Sequence, residues 1–100
     1  NIVYALSGQS YGLADNGWPS SIIDSHNLFF GIGAIPSWAD VATSINADPQ
    51  FVNATARDFH LQSTSPAINA GADVSAVVPR DYDYIARPQG AAFDMGAYER

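Results

Sequence analysis

Two histidines and ten acidic residues are the side chains of this 100-residue sequence that could carry acid–base or metal chemistry. His60 stands between Phe59 and Leu61, in a stretch that alternates apolar and polar residues. This alternation predicts a half-exposed strand with Phe59 and Leu61 facing the core and His60 on the outer face. We therefore expect His60 to be a surface histidine rather than a general base, and His26 to have a structural role as well.

Three aspartates near the end of the chain form the second group with possible chemistry. Asp81, Asp83 and Asp94 offer oxygen ligands of the kind that Ca²⁺ prefers. The alternative is charge-assisted pairing with Arg87, which would tie this part of the chain down. We favour the ion-pair network, and we expect no catalytic residue and no bound metal or cofactor.

Exposed aromatic side chains are the third group, because an aromatic ring can stack on a sugar ring. Trp18 is the best of these, since it lies between Gly17 and Pro19 in a predicted loop (residues 14–19). Tyr11, Tyr82 and Tyr84 are weaker carbohydrate-binding candidates. The alternative is that these rings only cover the flank of the fold or contact a neighbouring coil.

Composition excludes several function classes. The net charge is −6, with four arginines and no lysine, so neither a nucleic-acid backbone nor an anionic membrane surface is an expected partner. No apolar run is long enough to predict membrane insertion. Hydrophobic residues make up 47% and charged residues 14%, which argues for a folded domain whose surface partly faces protein.

An internal repeat points to the fold. Residues 1–4 (NIVY) and 27–30 (NLFF) each place an asparagine before three large apolar residues, 26 positions apart. Such runs predict parallel strands in successive turns of a β-solenoid, with the asparagines Asn1 and Asn27 stacked at one corner. A further strand is predicted at residues 21–24.

The remainder of the chain divides in two. Residues 36–46 predict a short helix, with Ser37 as N-cap and with Trp38, Val41 and Ile45 on one apolar face. Residues 47–100 are a series of turns linked by short apolar pieces. We therefore predict terminal solenoid coils at 1–46 and a C-terminal cap at 47–100, within one all-β domain.

The second half of the chain resembles the closing segment of secreted bacterial right-handed parallel β-helix proteins, which are pectate-lyase-like. The matching runs are DPQFVN (48–53), DFHLQSTSPAINAG (58–71), DYD (81–83), RP (87–88) and FDMGAYE (93–99). Two positions depart from the family pattern, which often has Asp at Asn69 and Gly at Tyr84. The second departure argues against a tight calcium-binding turn.

The resemblance implies an extracellular or cell-surface protein associated with polysaccharide. In this family the active groove usually lies upstream, so the resemblance implies a non-catalytic cap. A cap would cover the apolar end of the solenoid with Phe51, Val52, Phe59, Leu61, Ile68, Phe93, Met95 and Tyr98. About three repeats are normally needed for a stable solenoid. We therefore expect upstream coils of a parent chain, or other copies of this chain, as partners. The alternatives are part of a polysaccharide lyase or glycoside hydrolase, and a small carbohydrate-binding module.

Overall fold

The computed structural model describes residues 1–11, 25–34 and 40–100. Within these ranges the elements are five strands and one single-turn 3₁₀ helix. They are β1 (Ile2–Tyr11), β2 (Leu28–Ala34), β3 (Ile45–Asn46), β4 (Phe51–Asn53), the 3₁₀ helix (Ala54–Ala56) and β5 (Asp58–Leu61). The described part of the chain is thus all-β, and none of its helices could cross a membrane.

The first three strands form a parallel sheet in the order β1-β2-β3. Ile2 pairs with Leu28, and Leu28 pairs with Ile45, so equivalent apolar positions line up across the sheet. Parallel neighbours require a crossover connection between successive strands, which the 26- and 17-residue spacings of these positions provide. The strands predicted at both copies of the repeat are therefore present and directly paired.

The asparagine corner lies immediately before this apolar row. The Nδ2 group of Asn1 donates to Oδ1 of Asn27 over 3.3 Å, and Asn27 is buried. The backbone continues the same pattern, because the Leu28 amide donates to the Asn1 carbonyl and the Ile45 amide to the Asn27 carbonyl.

A bulge interrupts the pairing of β1 with β2. Between Tyr4 and Gln9 the first strand advances five residues while the second advances only from Phe30 to Ile32. Gly31 lies opposite this bulge with φ of +74°, and a Cβ at that position would lie 2.0 Å from the Ala5 carbonyl oxygen. Only glycine fits so close an approach of two backbones.

The hydrophobic cluster around Leu28 lies on one face of this sheet, and Phe29, the next residue of β2, is also fully buried. Leu28 from β2 packs with Leu61, Ala67 and Met95, all contributed by the segment after β3. Aromatic contacts extend the cluster, because the ring of Tyr4 lies against both Phe30 and Phe51. The later segment therefore folds back across the sheet.

The helix predicted at 36–46 is wrong for the part that the structure describes. Asp40 accepts hydrogen bonds from the amides of Ala42 and Thr43, and Val41 is 68% exposed rather than part of an apolar face. Ile45–Asn46 forms β3 instead, because strand pairing with β2 satisfies its backbone groups. Local side-chain bonding and sheet pairing outweighed the helical spacing. Residues 35–39, with Ser37 and Trp38, lie outside the described residues, as do the strand predicted at 21–24 and the loop at 14–19.

The C-terminal segment, residues 47–100, contains one hairpin followed by irregular turns. Strands β4 and β5 pair antiparallel, and the Asn53 side chain caps the 3₁₀ helix between them by accepting from the Ala56 amide. Leu61, Phe93 and Met95 are buried as predicted for a core plug, but Val52 and Phe59 are 50% and 42% exposed. The prediction that these two residues are buried is therefore wrong. Phe59 packs edge-on against Phe51 on one side only.

Candidate functional site

His60 lies at the centre of a cluster formed by three parts of the C-terminal segment. Its Nδ1 atom is 2.5 Å from Oδ1 of Asp58, and its Nε2 atom is 2.8 Å from Oδ2 of Asp83. The imidazole stacks on the Tyr98 ring, with 4.0 Å between ring centroids and 30° between planes. We call these four residues the His60 cluster.

The backbone explains why these side chains meet. Asp58 and His60 are two residues apart in β5, so both side chains point to the same face of the strand. Asp58 also accepts from the His60 amide over 3.2 Å, which fixes this pair locally. Asp83 comes from a turn at residues 80–86, where the Arg80 and Ala86 backbones form an isolated antiparallel bridge.

The electrostatics of the cluster favour a charged imidazole. The hydrogen bond to Asp83, followed by that to Asp58, raises the pKa of His60 above its usual value of 6.5. The side-chain and backbone hydrogen bonds from His60 lower the pKa of Asp58. The pKa of Tyr98 is raised by burial and then by the charge of Asp83, so its phenol stays neutral.

This arrangement does not suit a general base. A base needs a free ring nitrogen and a pKa close to the working pH. Both nitrogens of His60 are occupied by carboxylates, and its side chain is 45% exposed. The geometry agrees with the structural, surface position expected from the sequence. His26 lies at the asparagine corner, where its amide donates to Oγ1 of Thr43 over 3.0 Å.

Arg87 does tie down the end of the chain, but its partner differs from the predicted one. Its ion pair is with Glu99, at 3.5 Å between Nε and Oε1, and its Nη2 group donates to the Gly96 carbonyl. The predicted pairing of Arg87 with Asp81, Asp83 and Asp94 is therefore replaced by a pairing with Glu99. Glu99 is twelve positions away from Arg87 in sequence. It reaches the guanidinium because the tail of the chain folds back on the turn that contains Arg87.

Two of the three aspartates bind backbone amides. Oδ1 of Asp81 accepts from the amides of Asp83 and Ile85, and Oδ2 accepts from the Glu99 amide. Burial tends to raise the pKa of Asp81, but these three backbone hydrogen bonds and the charge of Arg87 outweigh it, so the pKa is lowered.

Asp94 has a similar role at the end of the tail. It is buried and accepts from the amides of Asn69 and Arg100. The carboxylates considered as calcium ligands are thus occupied by the protein itself. Across residues 1–11, 25–34 and 40–100, no group of three or more metal-ligating side chains is placed to hold a metal ion.

Of the aromatic candidates, Tyr82 and Tyr84 are the two whose side chains the structure describes. They are 74% and 80% exposed. Tyr82 contacts the edge of Tyr98 at 5.8 Å between ring centroids, and its amide donates to the Ala97 carbonyl. Tyr11 is the last residue of β1 and pairs with Ala34. Trp18 lies outside the described residues.

An apolar groove of about 860 Å³ runs between β1 and the β4–β5 hairpin. Ile2, Tyr4, Phe51 and Phe59 line it, together with Arg57. The sequence reasoning missed this groove, because it depends on two elements 50 residues apart.

Sequence reasoning also missed the partners of His60 and Arg87. The i, i+2 spacing of Asp58 and His60 was a usable signal. The contacts with Asp83 and Glu99 had no comparable signal. Comparisons of the chain with protein-family models, curated proteins and solved structures find no match.

Proposed function

We propose that this chain is a non-catalytic structural module that closes a right-handed parallel β-helix. The observation that carries this proposal is the row of parallel strands in which Ile2, Leu28 and Ile45 align, with Asn1 bonded to Asn27 beside it. Aligned apolar rows flanked by an asparagine ladder are typical of stacked coils. The resemblance of residues 48–99 to β-helix closing segments supports the same function.

The packing of the later segment supports a capping role. Leu61, Ala67 and Met95 cover the apolar face that Leu28 presents. Elsewhere in the segment, the carboxylates of Asp81 and Asp94 accept hydrogen bonds from its backbone amides. Its described strands, β4 and β5, are short, so the segment offers no long strand edge for another chain to extend.

The surface that we propose for a partner lies at the β1 edge of the sheet. In the described residues β1 pairs on one side, with β2, and the groove beside it presents Tyr4, Phe51 and Phe59. We propose that preceding coils of a parent chain, or another copy of this chain, cover this surface. On the resemblance alone, we further propose an extracellular or bacterial cell-surface location and association with polysaccharide.

A truncation tests the capping function. Removing residues 81–100 deletes Phe93, Met95 and Glu99. The apolar face of the sheet around Leu28 then loses its packing against Met95 and becomes more exposed to solvent. We expect the truncated chain to aggregate, while the full chain remains folded and rich in β-structure by far-ultraviolet circular dichroism. A truncated chain that stays folded and soluble at the same concentration would contradict the proposal.

The solution mass of the full chain tests the partner surface. We expect light scattering to give a mass above that of one 10.6 kDa chain, because a second copy covers the groove. A variant of an exposed ring in the groove, Phe59→Ser, should lower the mass toward that of the monomer. A folded monomer at high concentration would overturn the self-association, while leaving the capping function to be decided by the truncation.

A second candidate function is carbohydrate binding. It is favoured by the exposure of Tyr82 and Tyr84, two large rings on one turn that solvent surrounds. Tyr82 is also held in place, by its backbone bond to Ala97 and its edge contact with Tyr98. A fixed, exposed ring loses little conformational entropy when a sugar ring stacks on it.

A further inference from the structure

The turn at residues 80–86 is held by hydrogen bonds of its own, and a side-chain contact joins it to β5. Inside the turn, the Asp81 amide donates to the Ile85 carbonyl, and Nη1 of Arg80 donates to the Tyr84 carbonyl. Tyr84 has a φ of +65°, in the left-handed region. The bond between Oδ2 of Asp83 and Nε2 of His60 joins this turn to the β4–β5 hairpin, 23 residues earlier in the chain.

The geometry of this bond requires a particular protonation state. A carboxylate accepts hydrogen bonds, so two carboxylates at 2.5 and 2.8 Å call for an N–H on both ring nitrogens. Only the imidazolium form of His60 has both. A neutral imidazole carries one N–H, and its other nitrogen would then present a lone pair to a carboxylate.

The structure also indicates which of the two contacts, with Asp58 or with Asp83, is lost when His60 gives up a proton. Asp58 is held beside His60 by their shared strand and by its bond to the His60 amide. Asp83 has no such connection to β5, because it reaches the ring from a separate turn. The single N–H of a neutral ring would therefore stay with Asp58, and the contact with Asp83 would become repulsive.

The surroundings of the ring are anionic or neutral. Asp58 faces it from β5, Asp83 from the turn, and the Tyr98 phenol from the tail. Asp81 and Tyr82 add to the effects that raise the pKa of Tyr98. These groups together favour retention of the proton on His60.

We propose that the His60 cluster is a proton-operated clamp. It holds the turn at residues 80–86 against β5 while the imidazole is protonated, and it releases the turn when the ring loses its proton. This device goes beyond the capping function. Because Tyr82 and Tyr84 lie on this turn, the clamp controls the position of the two exposed rings.

The direction of the pH response follows from the raised pKa of His60. The stabilisation is fully present below the unfolded value of 6.5, and it is lost as pH rises through the higher folded value. At the acid end, Asp58 has a lowered pKa, so its contribution is lost only when pH falls through that lowered value. The clamp is therefore closed in mildly acidic solution and opens as pH rises through the raised pKa of His60.

Nuclear magnetic resonance of the full chain tests the clamp. The ¹⁵N shifts of the His60 ring report its protonation, and amide exchange at residues 82–86, corrected for intrinsic rates, reports opening of the turn. We expect the opening equilibrium to increase about tenfold per pH unit above about 6.5, the pKa of the released ring, and to level off at the midpoint of the His60 titration. Exchange that is independent of the His60 titration would overturn the proposal.

A pair of variants separates the clamp from a general charge effect. Asp83→Asn should lower the pKa of His60 and remove the pH dependence of exchange at residues 82–86. Asp73→Asn removes the same charge at an exposed position where the carboxylate accepts from the Ser75 amide, and it should leave both readouts unchanged. Equal effects of the two variants would contradict the clamp. If Asp83→Asn fails to fold, the unmodified chain decides the question, by whether exchange at residues 82–86 stops rising at the His60 midpoint.

Discussion

Nε of Arg87 lies 3.5 Å from Oε1 of Glu99, and the two side chains are only 7% and 0% exposed. Glu99 also accepts from the amides of Asp94 and Gln89 through its two oxygens. The last residues of the chain are therefore held by a buried charge pair whose members also bind backbone groups. This pair explains how a segment without regular secondary structure keeps one conformation.

Breaking this pair should destabilise the cap strongly. Glu99→Gln leaves the Arg87 charge buried without its counter-charge, and we expect a loss of about 3–5 kcal/mol in the free energy of unfolding. Arg87→Met should cost a similar amount, and the double variant less than the sum. Urea denaturation measures these changes. Arg80→Met, at an exposed arginine, is the control and should cost about 1 kcal/mol or less. Equal losses at Arg80 and Arg87 would refute this account.

Asp81 should make the cap sensitive to acid. Its pKa is lowered in the folded state, so its stabilisation is present above the unfolded value of 3.8 and is lost as pH falls through the folded value. In Asp81→Asn an amide NH₂ group replaces one acceptor oxygen, which leaves a backbone amide unpaired at a cost of about 1–3 kcal/mol. Thermal unfolding between pH 2 and 7 should show a shallower acid loss in the variant. An unchanged acid slope would show that Asp81 does not contribute to it.

The asparagine corner should contribute to the pairing of β1 with β2. Asn27→Ala removes a buried acceptor and leaves the Asn1 amide without that partner, so we expect a loss of about 1–3 kcal/mol. Asn46→Ala provides the matched comparison, because Asn46 is exposed at the following strand. It should change the free energy of unfolding by less than about 0.5 kcal/mol. Chemical denaturation measures both changes. Equal losses in the free energy of unfolding for the two variants would contradict a stabilising role of the Asn1–Asn27 hydrogen bond.

If Tyr82 binds carbohydrate, replacing it should remove binding without changing the stability of the fold. Tyr82→Ala should abolish retention on polysaccharide in affinity electrophoresis, because the exposed ring supplies the stacking surface. The melting temperature should change little, since most of that ring is in solvent. Phe59→Ala is the control, because this partly exposed ring lies in the groove beside β1. Unchanged retention of Tyr82→Ala would remove carbohydrate binding by this ring from consideration.

Local patterns were sufficient for several features of the fold. The repeat of NIVY and NLFF predicted two strands that pair in register, because three consecutive apolar residues after an asparagine suit a strand with covered faces. The alternation around His60 predicted the strand β5, but its assignment of Phe59 to the core was wrong. The strands were predictable because strand formation follows from residues next to each other in the chain.

The helix predicted at 36–46 failed for the opposite reason. Its apolar spacing was compatible with a helix, but β2 offered unpaired backbone groups to Ile45 and Ala47. A strand that completes a sheet gains hydrogen bonds from a partner that the local sequence does not contain. Propensity in a short segment is too weak to resist such pairing.

The sequence by itself determined the all-β character, the two apolar strands of the repeat and the acidic surface charge of this protein. Only the tertiary structure decided which charges meet. Asp83 reaches His60 across 23 residues, and Glu99 reaches Arg87 across a folded-back tail. Ion pairs depend on distance in space, and a chain of irregular turns has no periodicity from which that distance can be calculated.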